Sequence, residues 1–165
     1  MWAHRLATAE TIAFDTETTS IDYMHAKIVG FSFAITPHEA CYVPIAHDYL
    51  NAPKQLSFDD AFAIMRPILE NPLHRKVGQN IKYDYQVLKN HGIHLRGIAS
   101  DTMLESYVYN SIANRHDMDS LALKYLHHST ITYEDVAGKG QNKSHLTLSP
   151  LSAQQNMRPK MPRLR

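Results

Sequence analysis

Three strand-like runs crowd into the stretch from Thr11 to Ile45, and no helix-length segment separates them. The first is Thr11-Ile12-Ala13-Phe14, the second Lys27 to Ile35 and the third Ala40 to Ile45, with Pro44 near its end, where a missing N–H is tolerated. The links are a polar loop from Thr19 to Ala26 and the turn Thr36-Pro37-His38-Glu39. Such short links favour an antiparallel meander, because parallel strands need a long crossover. From Ser57 the period changes. Ser57-Phe58-Asp59-Asp60 reads as a capped helix start, and Phe58, Phe62, Met65 and Leu69 then fall on one face, with Asn71-Pro72 as the stop. Lys76 to Asn80 reads as a short strand and Lys82 to His91 as a helix stopped by Gly92. Ile98-Ala99-Ser100 precedes a helix from Asp101 to Asn110, whose apolar face includes Met103, Leu104, Tyr107 and Val108, and Met118 to Leu126 is another helix. A meander followed by alternating helices and strands predicts an α/β fold with helices packed on a mixed sheet.

The first strand ends in Phe14-Asp15-Thr16-Glu17-Thr18. Residues two apart on a strand point to the same side, so Asp15 and Glu17 converge. Two acids on one face repel unless a cation lies between them, and carboxylate oxygens suit hard divalent ions such as Mg2+. The same residues also fit a strand running out into a solvated turn, and spacing alone leaves both readings standing. Asp84 offers a similar choice. It falls in the first turn of a helix, where an acid is favourable by roughly 0.3–1 kcal/mol with no further role.

Composition narrows the class. The chain has 165 residues, enough for one domain with a real core, and its 44% hydrophobic and 20% charged content is ordinary for a globular protein. A formal net charge of +1 excludes a strongly basic coat, so any nucleic-acid contact is local. The eleven histidines are scattered without ligand spacing. The single cysteine, Cys41, excludes an intramolecular disulfide and lies in an apolar run that suggests core packing. No apolar run approaches membrane-spanning length, and the cytoplasm is the expected location. Met1 to Leu6 runs into the first strand with almost no lead, which suggests a piece of a longer polypeptide.

Two further stretches are more specific: Gly78-Gln79-Asn80-Ile81-Lys82-Tyr83-Asp84, and Arg115-His116-Asp117-Met118-Asp119-Ser120-Leu121-Ala122. With the tracts Asp101 to Tyr107 and Thr130 to Gly140, they make residues 2 to 148 resemble a known family: the proofreading 3′–5′ exonuclease domain of bacterial DNA polymerase I, the exonuclease part of its Klenow fragment. The acids alone resemble the wider DEDD exonuclease superfamily, which includes ribonuclease D. The resemblance implies a ribonuclease H-like fold and removal of 3′-terminal nucleotides from single-stranded or mispaired DNA. It also implies two divalent metal ions, Mg2+ first and Mn2+ or Zn2+ as alternatives. By the same resemblance Asp15, Glu17 and Asp84 are the catalytic and metal-binding residues, with Asp15 touching both ions. Thr18 and Ile21 match positions that hold the terminal nucleotide, while Asn80, Arg115 and Tyr133 match contacts to the DNA strand. The implied partners are the 3′ end of single-stranded DNA and a polymerase domain on the same polypeptide, with a monomeric state. Read without the resemblance, Ile21 fits a loop residue tucked onto the core, Arg115 a surface charge paired with Asp117, and Tyr133 ordinary packing.

The sequence departs from the family in one place. The family's third motif, Tyr-x-x-x-Asp, supplies a water-orienting tyrosine and a fourth carboxylate, but this chain has no such pattern and no acid after Asp135. Ser149 to Arg165 is rich in proline and basic residues and follows neither helical nor strand period. Codons for Asn156 to Arg165 can be chosen so that reading from the third base gives Tyr-Ala-Ala-Glu-Asp-Ala-Glu-Val-Thr, and Met161-Pro162 yields only alanine in that frame. The expectation is an exonuclease domain over 1–148 that lacks its third motif and an out-of-frame tail over 149–165, the alternative being a genuine divergent tail. Loss of the motif keeps two other functions in view: a module that binds a 3′ end without cutting it, and a ribonuclease D-like enzyme that trims RNA.

Overall fold

The computed structural model describes residues 2–37, 39–48, 52–112 and 115–130. Its centre is the strand β1 (Thr11–Thr18), which follows a short helix α1 (Trp2–Thr8). That helix corrects the expectation that the chain enters the first strand with almost no lead. Leu6 is fully buried and Trp2 packs partly buried against the same core, so these two side chains anchor α1. The meander continues through β2 (Ile28–Thr36) and β3 (Glu39–Pro44). After it come α2 (Phe58–Leu69), β4 (Arg75–Gly78), α3 (Ile81–Asn90), β5 (Ile98–Asp101), α4 (Thr102–Tyr109) and α5 (Met118–Leu126).

The five strands lie in the order β3-β2-β1-β4-β5. β1 pairs antiparallel with β2 and parallel with β4, and β4 pairs parallel with β5, so the sheet is mixed, as the period change predicts. Ile98 to Ser100, read only as the lead into a helix, belongs to the edge strand β5. Every residue of β2 from Ile28 to Ala34 is buried, which means that both faces of the sheet are covered there. Phe14 lies opposite Phe33 in the register, and the rings of Phe14, Phe31 and Phe33 stand 5.4–6.2 Å apart. Phe62 of α2 closes this cluster at 5.8 Å from Phe31. Each such buried side chain stabilises the fold by about 1.5–3 kcal/mol, enough to hold β1 rigid at its middle.

Ser57 caps α2 by accepting from the Asp60 N–H at 3.1 Å. Phe62, Met65 and Leu69 are buried along that helix, while Phe58 is 40% exposed and stacks on Phe62 at 3.9 Å. The apolar face expected on α4 is different. None of its residues is buried, and Val108 and Tyr109 are more than four-fifths exposed. Cys41 is half-buried, and burial pushes its thiol up to about 11, consistent with a packing role.

Candidate active site

β1 carries its acids at the end where its two neighbours part. The parallel ladder with β4 stops at Ala13 and Val77, but the antiparallel ladder with β2 runs on to Thr18 with a bulge after Glu17. Alternation sends Phe14 and Thr16 to one side and Asp15 and Glu17 to the other. The cross-strand rows on the acid side are Asp15–Ser32–Tyr42 and Glu17–Gly30–Pro44. Gly30 makes room there: a Cβ on it would collide with the Tyr42 ring, which lies over the glycine and would have to shift. The Tyr42 hydroxyl meets His47 Nε2 at 2.6 Å, so this wall of the site is pinned at its far end.

Asp84 comes from the first turn of α3 and is almost fully buried. Past Ala13 the β4-facing edge of β1 has no ladder partner, and Asp84 takes up the free donor. Its Oδ1 accepts both the Thr16 N–H at 2.8 Å and the Thr16 hydroxyl at 2.6 Å. These bonds draw Asp84 to the acid pair of β1. Each of the three carboxyls is then shifted toward its protonated form, Asp84 acting on both Asp15 and Glu17 while Asp101 is the acid that acts on Asp84. Burial is the main cause at each. Asp84 and then Glu17 add repulsion at Asp15, whose carboxyl is pushed well above the usual range. Glu17 is pushed up to about 7 by burial and by Asp84. Asp84 reaches only about 6, because the Thr16 bonds favour its charged form. Protonation or a nearby cation relieves the cost of burying these acids, and carboxylate oxygens are of the kind that hard divalent ions take. The carboxylates are within electrostatic reach but do not close on one point: among the described residues no group of three or more Asp, Glu, His or Cys side chains is arranged to hold an ion.

The other expected residues border this cluster unevenly. Thr18 Oγ1 meets the Tyr83 hydroxyl at 2.5 Å, and Tyr83 also donates to the Ser20 carbonyl, tying the loop after β1 to α3. Ile21, in that loop, is 97% exposed, so it is not tucked onto the core. Asn80 is the N-cap of α3 in the left-handed conformation, φ 57°, and its side chain makes no capping hydrogen bond. Arg115 is exposed and pairs with Asp117 at 3.5 Å. Its neighbour His116 is held from two sides, by Gln79 Nε2 on its carbonyl at 2.7 Å and by Ser106 Oγ on Nδ1 at 2.9 Å. Tyr133 and the tail from Ser149 lie outside the described residues. A shallow cavity of about 430 Å³ lined by Arg5, Thr8, Glu10, Ile35 and Thr36 lies at the opposite end of β1 and brings no acid cluster.

Thr16, Tyr83 and Tyr42 belong to the site but escaped the sequence reading. Thr16 had a signal, since a threonine between two acids on a buried strand needs a polar partner. Tyr42 had none, because its place depends on a cross-strand glycine.

This constellation on a mixed sheet, with acids at the end of the central strand and on the adjoining helix, defines a class. A sequence profile of the 3′–5′ exonuclease family matches residues 1–155, and the chain belongs to that family. Among curated proteins it is similar to DNA polymerase I of Pseudomonas aeruginosa, at 56% identity over 156 residues, which cover 93% of this chain and 17% of that protein. DNA polymerase I of Rhizobium leguminosarum is 44% identical over 147 residues, covering 79% of this chain and 14% of the relative. The chain therefore spans about a sixth of the length of these relatives. Solved structures support the ribonuclease H-like fold. The POL domain of Pol1 from M. smegmatis, in complex with DNA primer-template and dNTP, matches with a TM-score of 0.64 at 20% identity, over 78% of this chain and 21% of that one. Brucella melitensis NrnC with bound Mg2+ matches with a TM-score of 0.58 at 14% identity, over 91% of this chain and 66% of that one.

Proposed function

We propose that this chain is the proofreading part of a bacterial DNA polymerase I, built to remove nucleotides from the 3′ end of single-stranded or mispaired DNA. The observation that carries the reading is that Asp84, tied to β1 by its two Thr16 bonds, lies within electrostatic reach of Asp15 and Glu17. Membership of the 3′–5′ exonuclease family supports it. Asp15, Glu17 and Asp84 would hold two divalent ions, Mg2+ first with Mn2+ or Zn2+ as alternatives, which when bound supply activation of the attacking water and stabilisation of the departing 3′ oxygen.

The chain's own residues do the rest. Asp15 and Glu17 present oxygens from one rigid strand face, and Thr16 fixes the direction of Asp84. Thr18 and the exposed Ile21 receive the terminal nucleotide, with Ile21 offering an apolar surface to its base. Asn80 and Arg115 contact the strand behind it, and Tyr133 adds a stacking face. The location is cytoplasmic and the active unit a monomer within a longer polymerase. The tail from Ser149 is an out-of-frame reading of the family's third motif, so the chain as written lacks its fourth carboxylate. That lack favours a second reading, a module that grips a 3′ end without cutting.

One assay separates these readings: degradation of labelled single-stranded DNA with Mg2+ or Mn2+, with Asp15→Ala as control. Cleavage abolished by Asp15→Ala supports the exonuclease. Binding without cleavage supports the module, and faster loss of RNA than DNA supports a ribonuclease D-like enzyme. Restoring the Tyr-Ala-Ala-Glu-Asp frame in the gene should raise cleavage sharply. An unchanged rate after that repair would refute the account of the tail.

A further inference from the structure

The carboxylate of Asp101, at the end of β5, bridges two helix starts. Its Oδ1 accepts the N–H groups of Met103 at 3.0 Å and Leu104 at 3.3 Å, which caps its own helix α4. The same side chain also reaches across the sheet. Oδ1 accepts the Asn80 N–H at 3.0 Å and Oδ2 accepts the Ile81 N–H at 2.9 Å, so Asp101 also satisfies donors at the start of α3. It is 8% exposed, which keeps water from replacing these four bonds.

A consequence follows for Asn80. An N-cap residue normally spends its side chain on the first turn of its own helix. Asn80 does not, because the neighbouring strand supplies the acceptor, and its amide is left out of the cap. The left-handed backbone at Asn80 costs little for asparagine, and the bonds from Asp101 to both Asn80 and Ile81 hold it there. Asp84 lies one turn further along the same helix, at the acid cluster.

We infer that Asp101 is a positioning residue of the nuclease site: by capping α3 from the adjacent strand it releases the Asn80 side chain for the DNA strand and sets the direction in which that amide points. The inference rests on the proposed contact between Asn80 and the strand.

The informative variant is Asp101→Ser, because serine is a good cap for its own helix but too short to reach Asn80 and Ile81. Two readouts are needed on the full chain. Amide hydrogen exchange should show lost protection at Asn80 and Ile81, with Met103 and Leu104 still protected. Affinity is read by anisotropy with a fluorescein-labelled single-stranded DNA of about ten nucleotides with a free 3′ hydroxyl, in Ca2+. Asn80→Ala and Asp101→Ser should each weaken binding about tenfold, and the double variant should be no more than about twofold worse than either single one. A purely structural Asp101 gives additive losses in this cycle, which overturns the inference. Unchanged affinity in Asp101→Ser while Asn80→Ala binds weakly also overturns it. Unchanged affinity in Asn80→Ala removes the strand contact itself and the inference with it, whereas the exchange data still report on the cap.

Discussion

Glu17→Gln should make the metal-free protein more stable while destroying its response to Mg2+. Glu17 is held at about 7 against an ordinary 4.5, so its ionised form is disfavoured in the folded chain. The sign follows from proton counting. Between these two values the folded state binds more protons than the unfolded one, so stability falls as pH rises through the window. At about pH 8 the charged Glu17 costs about 3 kcal/mol, and at about pH 5 under about 1 kcal/mol. Glutamine removes that cost but places a neutral amide in the same half-buried spot, which takes back about 1 kcal/mol. The net gain of about 2 kcal/mol at high pH corresponds to a rise in melting temperature of roughly 4–8 °C for a domain of this size. Thermal unfolding followed by circular dichroism in EDTA, at about pH 8 and about pH 5, reads the difference directly. The gain should shrink at the lower pH, and added Mg2+ should raise the melting temperature of the unaltered chain but not of the variant. A variant melting at or below the unaltered chain at high pH would show that the acids are not in conflict, and the electrostatic account of the site would fail.

Two further outcomes follow from the same structure and a third from the sequence of the tail. The Mg2+-induced rise in melting temperature of the unaltered chain should fade as pH falls through about 7 to 6, where Glu17 and Asp84 take up protons; a rise that persists unchanged at about pH 5 argues for ligands other than these carboxylates. Gly30→Ala should cost about 1–3 kcal/mol in urea unfolding, since the new Cβ displaces the Tyr42 ring, and the cost should largely vanish in a Tyr42→Ala background; equal costs in both backgrounds would refute the contact. Deletion of residues 149–165 should leave the melting temperature unchanged, and a clear fall would count against an out-of-frame tail.

Much of the architecture was legible because periodicity reports burial. The meander and α2 each advertise a face, and Asp15 with Glu17 stood out as paired acids on a strand that buries its neighbours. The misses have physical reasons. α1 fully buries only Leu6, too little to leave a periodic trace. β5 is an edge strand in which Ile98 and Ala99 are exposed, so its sequence lacks the apolar run of a central strand. Asp101 looked like one more residue of a helix start, and nothing local reveals that its carboxylate also serves a helix that begins at Ile81. Thr16 and Tyr83 act through partners distant in sequence, which a pattern read along the chain cannot supply.

The parallel pairing of β1 with β4 bears on when the site comes into being. Thr11 sits beside Arg75 in that ladder, and only with this closure does α3 deliver Asp84 to Thr16. The meander can form early from neighbours in the chain, but it carries two acids and no third. Closing the long loop to β4 is the slow, entropy-limited event in a topology of this kind. A chain that has collapsed without making that connection holds half a site, with Asp15 and Glu17 still open to solvent. If the three acids hold a divalent ion as proposed, titration with that ion counts finished molecules, and its amplitude during refolding is a clock for the pairing of β1 with β4.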